Sequence, residues 1–232
     1  MVGIDRVYQT VQKILNKEQR GYLPPVEFNL FANQAQNEIF HSYFGMRNVV
    51  NTNSSDYSDI QGNVEEKISL FENEEDVSKS TFANAAGNTT NDYFAYPSNF
   101  YSLVTVDVEG RTASEVSTKK YSYINRSKYT KPTLKTPIFV RHENGVKMSP
   151  SEGIDSITMN YIRIPAEVNW AYVTINGKPN YNATTSTDFE LHPSEITELV
   201  LKICQYAGLS TKSLDVAQAA TQKEQQVTQS EL

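Results

Sequence analysis

The stretch Asp188-Phe-Glu-Leu-His-Pro-Ser-Glu195-Ile-Thr-Glu-Leu-Val-Leu-Lys-Ile-Cys-Gln-Tyr-Ala207-Gly208 decides how the chain folds. Pro193 suits the first helical position, where its missing N–H is not needed, and Gly208 suits the residue just past the end. The spacing therefore predicts a C-terminal core helix within residues 186–209. Its apolar residues recur at helical spacing and form one stripe, made of Ile196, Leu199, Val200, Ile203 and Ala207.

The residues that follow this helix have a different character. Ser213 to Leu232 are mostly Ala, Gln, Lys and Glu, which favour a helix. Their apolar stripe is too thin to hold a helix on its own domain, and helices are marginal in water without tertiary packing. We therefore expect residues 210–232 to form an extended tail helix that becomes ordered on a partner. Its contact residues would be Leu214, Val216, Ala217, Ala220 and Val227.

Two amphipathic helices are predicted within residues 1–50, on either side of the breaker Gly21-Tyr-Leu-Pro-Pro25. The first spans residues 3–17, and the second runs from Pro25 to Phe44. Because the link between them is short, we expect an antiparallel helical hairpin. One face of the second helix carries Phe28, Phe31, Ala35, Ile39 and Tyr43, and a wider apolar surface adds Leu30, Phe40 and Phe44.

Between the hairpin and the C-terminal helix the pattern changes from helical to extended. Residues 51–93 are predicted to be an acidic and polar loop region, with long loops at 51–63 and 83–92. From Phe94 the period is two, and Asn144-Gly145 and Asn176-Gly177 predict two-residue hairpins. Pro179 restricts the strand after the second turn to a short or edge strand.

We therefore predict an antiparallel sheet of about four to six strands in residues 94–185, with a short helix or irregular segment near Ser117–Asn125. The predicted fold class is α+β. The N-terminal hairpin and the C-terminal helix pack together, and the β-rich subdomain is inserted between them in sequence.

The composition limits the classes of function. The chain has 232 residues, a net charge of −6 and one cysteine, Cys204. The charge gives the whole molecule no bias towards nucleic acid. Cys204 lies on the apolar side of the C-terminal helix pattern, so we expect a small buried hydrophobe, no internal disulfide and a reducing compartment. No apolar run approaches the length of a membrane span, and the N-terminus lacks a signal-peptide pattern.

No catalytic constellation stands out in the sequence, and we expect neither an enzyme nor a bound metal or cofactor. His41, His142 and His192 lack metal-ligand spacing, and no Gly-rich phosphate loop is present. The carboxylates at Glu65-Glu66 and Glu74-Glu75-Asp76 could serve a cell-wall hydrolase. Acids in a charged loop are more often a solvated face, and we favour that interpretation.

Charge is distributed unevenly along the chain. Residues 111–147 carry nine basic residues against Glu115 and Glu143, whereas residues 56–79 carry eight acids against two lysines. Tyrosines interleaved with the basic residues are typical of a single-strand nucleic-acid binder. The acidic net charge instead favours a basic face that meets the acidic segment of an identical copy, head to tail. Its candidate residues are Lys119, Lys120, Arg126, Lys128 and Lys131.

Three segments together carry a resemblance that covers nearly the whole chain. They are Glu27-Phe-Asn-Leu-Phe-Ala-Asn-Gln-Ala-Gln-Asn-Glu-Ile-Phe40, Arg163-Ile-Pro-Ala-Glu-Val-Asn-Trp-Ala-Tyr172 and Ser186-Thr-Asp-Phe-Glu-Leu-His-Pro-Ser-Glu195 with the helix that follows. The chain resembles the head-to-tail connector adaptors, which are structural ring proteins of crAss-like short-tailed bacteriophages. None of these segments is a catalytic motif.

The resemblance implies a non-enzymatic virion protein with a helical core and a β-rich insertion. Such adaptors form a ring of about twelve copies beneath the portal, to which their C-terminal segments reach. The implied partners are identical subunits, the portal and further tail rings, with DNA passing through the lumen without specific binding and no membrane contact. The protein would be made in the host bacterial cytoplasm and reside in the virion neck. The alternatives are a different ring of the tail barrel, or a nucleic-acid-binding module that uses residues 111–147.

Overall fold

A computed structural model describes residues 2–17, 22–52, 58–83 and 89–210. The chain divides into two compact units, a helical unit made of Met1–Leu70 and Pro165–Leu232, and a sheet unit made of Phe71–Ile164. The sheet unit is therefore an insertion between two parts of the helical unit, which confirms the predicted α+β class. No helix in the described ranges is long and apolar enough to span a bilayer. The predicted tail contacts at residues 214–227 lie outside the described residues.

Five α-helices are described in chain order: α1 (Ile4–Lys17), α2 (Pro25–Thr52), α3 (Ser58–Ser69), α4 (Thr118–Arg126) and α5 (Ile196–Ser210). All except α4 belong to the helical unit. A one-turn 3-10 helix, Pro193–Glu195, precedes α5, and its first residue is the proline that the sequence placed at the helix start. His192 caps this turn, because its ring accepts a hydrogen bond from the Ser194 N–H at 3.3 Å.

The core of the helical unit forms where α5 packs against α1 and α2. The predicted stripe of α5 is confirmed, since Leu199, Val200, Ile203 and Ala207 are buried and Ile196 is half-buried. Cys204 is buried as well, and burial raises the pKa of its thiol to about 11. Gly208 does not end the helix as predicted. It is buried within the last turns of α5, where a glycine costs only about 1 kcal/mol relative to alanine.

The second predicted helix differs from α2 in two respects. The observed helix α2 continues beyond the predicted end, Phe44, to Thr52, because a glycine inside a helix, here Gly45, weakens the helix without ending it. Leu30, predicted to widen the apolar surface, is 67 % exposed. The buried face instead includes a polar residue, Gln36, which is 1 % exposed.

Three amides on one face of α2 hold an extended segment of the helical unit. Asn29 accepts a hydrogen bond from the Trp170 N–H at 2.8 Å. Asn33 both accepts from the Val168 N–H and donates to the Val168 carbonyl oxygen, each at 2.9 Å. Gln36 donates to the Ala166 carbonyl oxygen at 2.8 Å. The spacing i, i+4, i+7 aligns the three side chains, so α2 satisfies this backbone as a neighbouring strand would.

The described residues of the sheet unit form eight strands: β1 (Glu72–Ala83), β2 (Thr89–Ala95), β3 (Phe100–Val108), β4 (Arg111–Thr112), β5 (Ser114–Glu115), β6 (Ile138–His142), β7 (Gly145–Ser149) and β8 (Ser156–Arg163). Their order is β4-β3-β8-β1-β2-β7-β6-β5, and every pair is antiparallel except β5 with β6. Side chains from both halves of the sheet share one core, centred on Phe94, Val106, Val146, Met148 and Met159.

Several boundaries predicted for the sheet region are wrong. Residues 51–93 are not a loop region, because they contain the end of α2, all of α3 and β1, and most of β2. The predicted β-rich span 94–185 therefore begins too late. It also ends too late, since β9 (Tyr172–Ile175) and β10 (Lys178–Tyr181) form a separate two-stranded hairpin in the helical unit. The short helix expected near Ser117–Asn125 is confirmed as α4.

The Asn144-Gly145 signal gives a hairpin but not the predicted turn. His142 pairs with Gly145, so the turn residues are Glu143 and Asn144 and the glycine begins β7. Gly145 is required there for space. A Cβ built on it would lie 2.3 Å from the Phe94 carbonyl oxygen and 3.1 Å from the Ala95 Cα, both in the backbone of β2.

We expect Gly145→Ala to destabilise the sheet unit by about 1–3 kcal/mol or more, because backbone rather than a side-chain tip must move. Urea unfolding followed by far-UV circular dichroism would measure the loss. Gly62→Ala in α3 is the control, since a Cβ there meets nothing within 4 Å and helix propensity favours alanine. A Gly145→Ala protein as stable as wild type would contradict the close approach of β2 and β7.

Candidate interaction surfaces

Helix α4 lies against the sheet unit by a narrow face. The Tyr121 hydroxyl donates to the Met148 carbonyl oxygen at 2.8 Å, and Asn125, one turn later, accepts from the Ser149 hydroxyl at 2.5 Å. Ser117 caps the helix by accepting from the Lys120 N–H. No residue of α4 is buried. The helix is therefore fixed at its inner face by polar contacts, and most of its surface is exposed to solvent.

The exposed side of α4 and the segment after it form what we call the basic surface. Lys119, Tyr123 and Arg126 share one helical face through the i, i+4, i+7 spacing. Two aromatic side chains are largely exposed to solvent, Tyr123 at 65 % and Tyr129 at 93 %. Residues 118–131 include five basic and no acidic residues, so a chain of net charge −6 leaves −11 for the rest. The members of the basic surface are Lys119, Lys120, Tyr123, Arg126, Lys128, Tyr129 and Lys131.

The five charges of the basic surface differ from Arg141 and Lys147, two other basic residues of segment 111–147. Arg141 is paired with Glu115 at 2.8 Å, and Lys147 lies 5.6 Å above the ring of Tyr93. None of the five has a carboxylate partner within the described parts of the chain. The five residues that the sequence singled out are thus exposed and without an ion pair among the described residues, unlike Arg141.

The second surface is the outer face of strands β1, β8 and β3, which we call the acidic surface. Asn73, Glu75 and Val77 pair with Tyr161, Met159 and Ile157, whose side chains belong to the core. Because side chains alternate along a strand, the intervening residues lie on the opposite face. Register places Asp107 of β3 on this face too, through Thr158. The acidic surface therefore carries four carboxylates: Glu72, Glu74, Asp76 and Asp107.

Neutral polar side chains hold part of this acidic surface in place. The Thr158 hydroxyl donates to Asp76 at 2.7 Å, and the Asn160 amide donates to Asp107 at 3.1 Å. No hydrogen bond or ion pair is found for Glu72 and Glu74 in the described ranges. They line an open concavity of about 540 Å³ together with Val104 and Thr105. These two carboxylates are the ones best placed to meet cations from another molecule.

The other carboxylates and the histidines that the sequence offered as catalytic or metal-binding candidates lie in separate parts of the structure. Glu65 and Glu66 are exposed on α3 of the helical unit, whereas Glu74 belongs to the sheet unit. His41 is exposed and lies edge-on to Phe40. His142 packs against Tyr93, and burial, assisted by Lys147, lowers the pKa of its imidazole. In the ranges that the structure describes, no three His, Cys, Asp or Glu side chains are grouped to hold a metal ion.

No family model matches this chain, and no curated protein matches it.

The sequence identified the residues of the basic surface, but it did not show that the acidic residues lie on the outer face of a sheet. Glu72 to Asp76 reads as a charged loop, although these residues occupy a central strand between β2 and β8. The sequence does contain a strand pattern here, because Asn73, Glu75 and Val77 alternate with the residues of the outer face, Glu72, Glu74 and Asp76. A strand that carries acids on its outer face keeps this period while lacking the apolar residues that usually reveal it.

Proposed function

We propose that this protein is a structural adaptor that forms a ring between the portal and the tail of a tailed bacteriophage and provides the channel for DNA passage. The observation that carries the proposal is the presence of two unpaired surfaces of opposite charge on one unit. The resemblance of the three sequence segments supplies the viral setting. Identical copies, the portal and further tail rings are the proposed partners, and the virion neck is the proposed location.

The arrangement of the two surfaces supports contact between copies. The basic surface is attached to β6 and β7, whereas the acidic surface lies on β1, β8 and β3. In the sheet order β7 and β2 separate β6 from β1, so the two surfaces occupy different positions on the unit. A contact between different patches is heterologous, and a repeated heterologous contact closes a ring when the rotation between copies divides a full turn evenly.

Intermolecular crosslinking tests this pairing directly. A carbodiimide joins a lysine to a carboxylate only when they touch, so an equal mixture of ¹⁵N-labelled and unlabelled protein reports contacts between copies. We expect mixed-isotope crosslinks that join Lys119 or Lys120 to Glu72 or Glu74. Crosslinks confined to single copies at every protein concentration would overturn the pairing. A side-chain-resolution reconstruction of the particle that contained no ring of this chain would overturn the adaptor proposal.

The C-terminal residues provide a second test of the adaptor. Removing residues 211–232 starts after the last residue of α5, so we expect the truncated protein to keep its folded stability. We also expect it to lose attachment to the portal, because Leu214, Val216, Ala217, Ala220 and Val227 would be gone. Co-sedimentation with purified portal would show the loss, and circular dichroism the retained fold. Normal binding of the truncated protein to portals would refute the assigned role of the tail.

A nucleic-acid-binding module is the second candidate, and the exposed rings of Tyr123 and Tyr129 favour it. Aromatic rings among lysines stack on bases in single-strand binders. This candidate requires DNA affinity that falls steeply with salt and drops when Lys119 and Lys120 become glutamate. The adaptor requires weak or no DNA binding, since DNA must slide through the lumen. Binding of a fluorescent oligonucleotide over a salt series distinguishes the two.

A further inference from the structure

An open groove in the helical unit lies between α1 and the β9–β10 hairpin, on elements that the adaptor proposal does not use. Its volume is about 710 Å³, which is within the usual range for small-ligand sites. The lining contains aromatic rings and amides: Tyr8, Tyr22, Trp170 and Tyr181, with Gln9, Gln12, Asn16 and Asn180. One acid, Asp5, and one base, Lys178, complete its charged side chains, so they add no net charge to the groove.

The aromatic residues of the groove are arranged around the only tryptophan of the chain, Trp170. This ring is 3 % exposed, lies 4.2 Å from the ring of Tyr8 and donates its indole N–H to Asp5 at 3.0 Å. Tyr181 stacks on it at 5.7 Å and is itself 37 % exposed. Tyr22 is 57 % exposed. The groove therefore has a fixed aromatic floor and two rings with surface left for a ligand.

The polar residues of the groove offer hydrogen bonds of a neutral kind. Four amide side chains can each donate and accept. The Gln12 amide nitrogen donates to the Leu23 carbonyl oxygen at 2.5 Å, while its oxygen is buried without a hydrogen-bond partner among the described residues. Because that oxygen is buried, the amides that a ligand in the groove can reach are the exposed ones, Gln9, Asn16 and Asn180. Aromatic rings next to planar amides are the combination that recognises the C–H faces and hydroxyls of a sugar ring.

The geometry of β10 argues against a peptide added as a third strand. Asn176 and Gly177 have φ of 53° and 76°, a type I′ turn, so Ile175 and Lys178 form its hydrogen-bonded closing pair. The next pair, Thr174 with Pro179, is then a non-hydrogen-bonded pair, whose backbone groups point away from each other. Proline lacks the N–H that this free edge would need for strand addition. An extended peptide at this edge of the hairpin would therefore find one backbone N–H donor missing, at Pro179.

We propose that this groove binds a short neutral oligosaccharide, which stacks against Tyr181 and Tyr22 and accepts or donates hydrogen bonds at Gln9, Asn16 and Asn180. The sugar packs one C–H face on the exposed part of Tyr181, as apolar ligand surface does on aromatic side chains elsewhere. The amides then select for hydroxyl positions. The site is a property of the helical unit and does not depend on ring formation.

Trp170 fluorescence provides the measurement, because one tryptophan reports on one site. Maltotriose, cellotriose and chitotriose are titrated into the full-length protein, and saturation-transfer NMR checks that the same sugar contacts the protein. We expect a saturable change for at least one sugar, with a dissociation constant on the order of 1 mM. Tyr181→Ala should weaken that binding roughly tenfold, which is the range of one aromatic contact.

Tyr172→Ala is the matched control. Tyr172 faces Tyr181 across the hairpin and stacks on Trp170 at 5.9 Å, yet it does not line the groove. It should leave sugar affinity unchanged. If Tyr181→Ala fails to fold, Asn180→Ala replaces it and should also weaken binding. The proposal is overturned by a flat response to all three sugars or by equal losses of sugar affinity in Tyr172→Ala and Tyr181→Ala.

Discussion

Exchanging two lysines of the basic surface for glutamate, Lys119→Glu with Lys120→Glu, should strongly weaken self-association of this protein. Both side chains are exposed and lack a carboxylate partner within the described residues, so the exchange leaves the fold intact. Each exposed ion pair contributes about 0.2–1 kcal/mol, and reversal replaces that attraction with a repulsion of similar size. Two reversals within one contact therefore weaken association by roughly tenfold to a hundredfold. Sedimentation velocity over a rising protein concentration would measure the change.

The complementary variant makes this prediction specific to the proposed pairing. Glu72→Lys with Glu74→Lys should weaken self-association to a similar extent, because like charges then face each other. Mixing the two variants should restore association, since the glutamates of one now meet the lysines of the other. A nucleic-acid-binding surface predicts no such rescue. Failure of the mixture to associate, when wild type does, would exclude contact between these two surfaces.

A control with the same change in net charge separates local pairing from overall charge. Lys13 on α1 and Lys178 on β10 are exposed residues of the helical unit, and neither belongs to the basic surface. Lys13→Glu with Lys178→Glu should leave association close to wild type at physiological salt, where screening limits the reach of exposed charges to about 8 Å. If this control lost association as fully as Lys119→Glu with Lys120→Glu, net charge rather than surface pairing would be responsible.

The helices could be predicted because the apolar residues of their buried faces recur at helical spacing within a short stretch of sequence. In α5 the spacing of Leu199, Ile203 and Ala207 identifies the buried stripe directly, and Pro193 identifies the start of the 3-10 helix that leads into it. The end was not predictable, because Gly208 is equally compatible with a cap and with a tightly packed position. Whether a glycine terminates a helix depends on what lies beside it, and the sequence does not state that.

The strands were predictable only where apolar residues alternate. β1 was missed because its neighbours in the sheet, β2 and β8, supply the pairing that its own acidic composition does not suggest. The turn before Gly145 was misplaced for a related reason. Asn-Gly favours a two-residue turn locally, but the approach of Phe94 in β2 requires a residue without a Cβ at that position of β7. Both errors arise from contacts between residues distant in sequence.

The candidate surfaces also divide into those that depend on a local pattern and those that depend on contacts between residues distant in sequence. Lys119, Lys120 and Arg126 were found from charge alone, since a run of unopposed basic residues remains exposed wherever the helix packs. The acidic surface needed the register of three strands before its carboxylates could be placed on one face. The groove at Trp170 was not predicted, because it joins α1 to a hairpin some 160 residues later in the chain, as the bond between Asp5 and Trp170 (165 residues apart) shows.

Replacing Lys67 with methionine should destabilise the helical unit by about 3–5 kcal/mol. The Lys67 ammonium lies 2.6 Å from a carboxylate oxygen of Glu195, a residue that is only 3 % exposed at the start of the C-terminal helical segment. Without the lysine, the only partner left to the buried carboxylate among the described residues is the Ser194 hydroxyl, which donates to it at 3.0 Å. Urea unfolding followed by Trp170 fluorescence would measure the effect, because this residue belongs to the helical unit.

Two further variants show whether burial is the cause of that loss. Lys67→Met combined with Glu195→Leu removes both charges, and an apolar pair of similar volume should recover most of the lost free energy of unfolding. Arg141→Met breaks an ion pair of similar length, 2.8 Å to Glu115, whose side chains are 41 % and 48 % exposed. That exposed pair should cost less than about 1 kcal/mol, measured by circular dichroism because it lies in the sheet unit. Equal losses for Lys67→Met and Arg141→Met would mean that the contact between α3 and the 3-10 helix is as open to water as the exposed pair. Glu195 would then have no special part in joining the C-terminal helix to the rest of its unit.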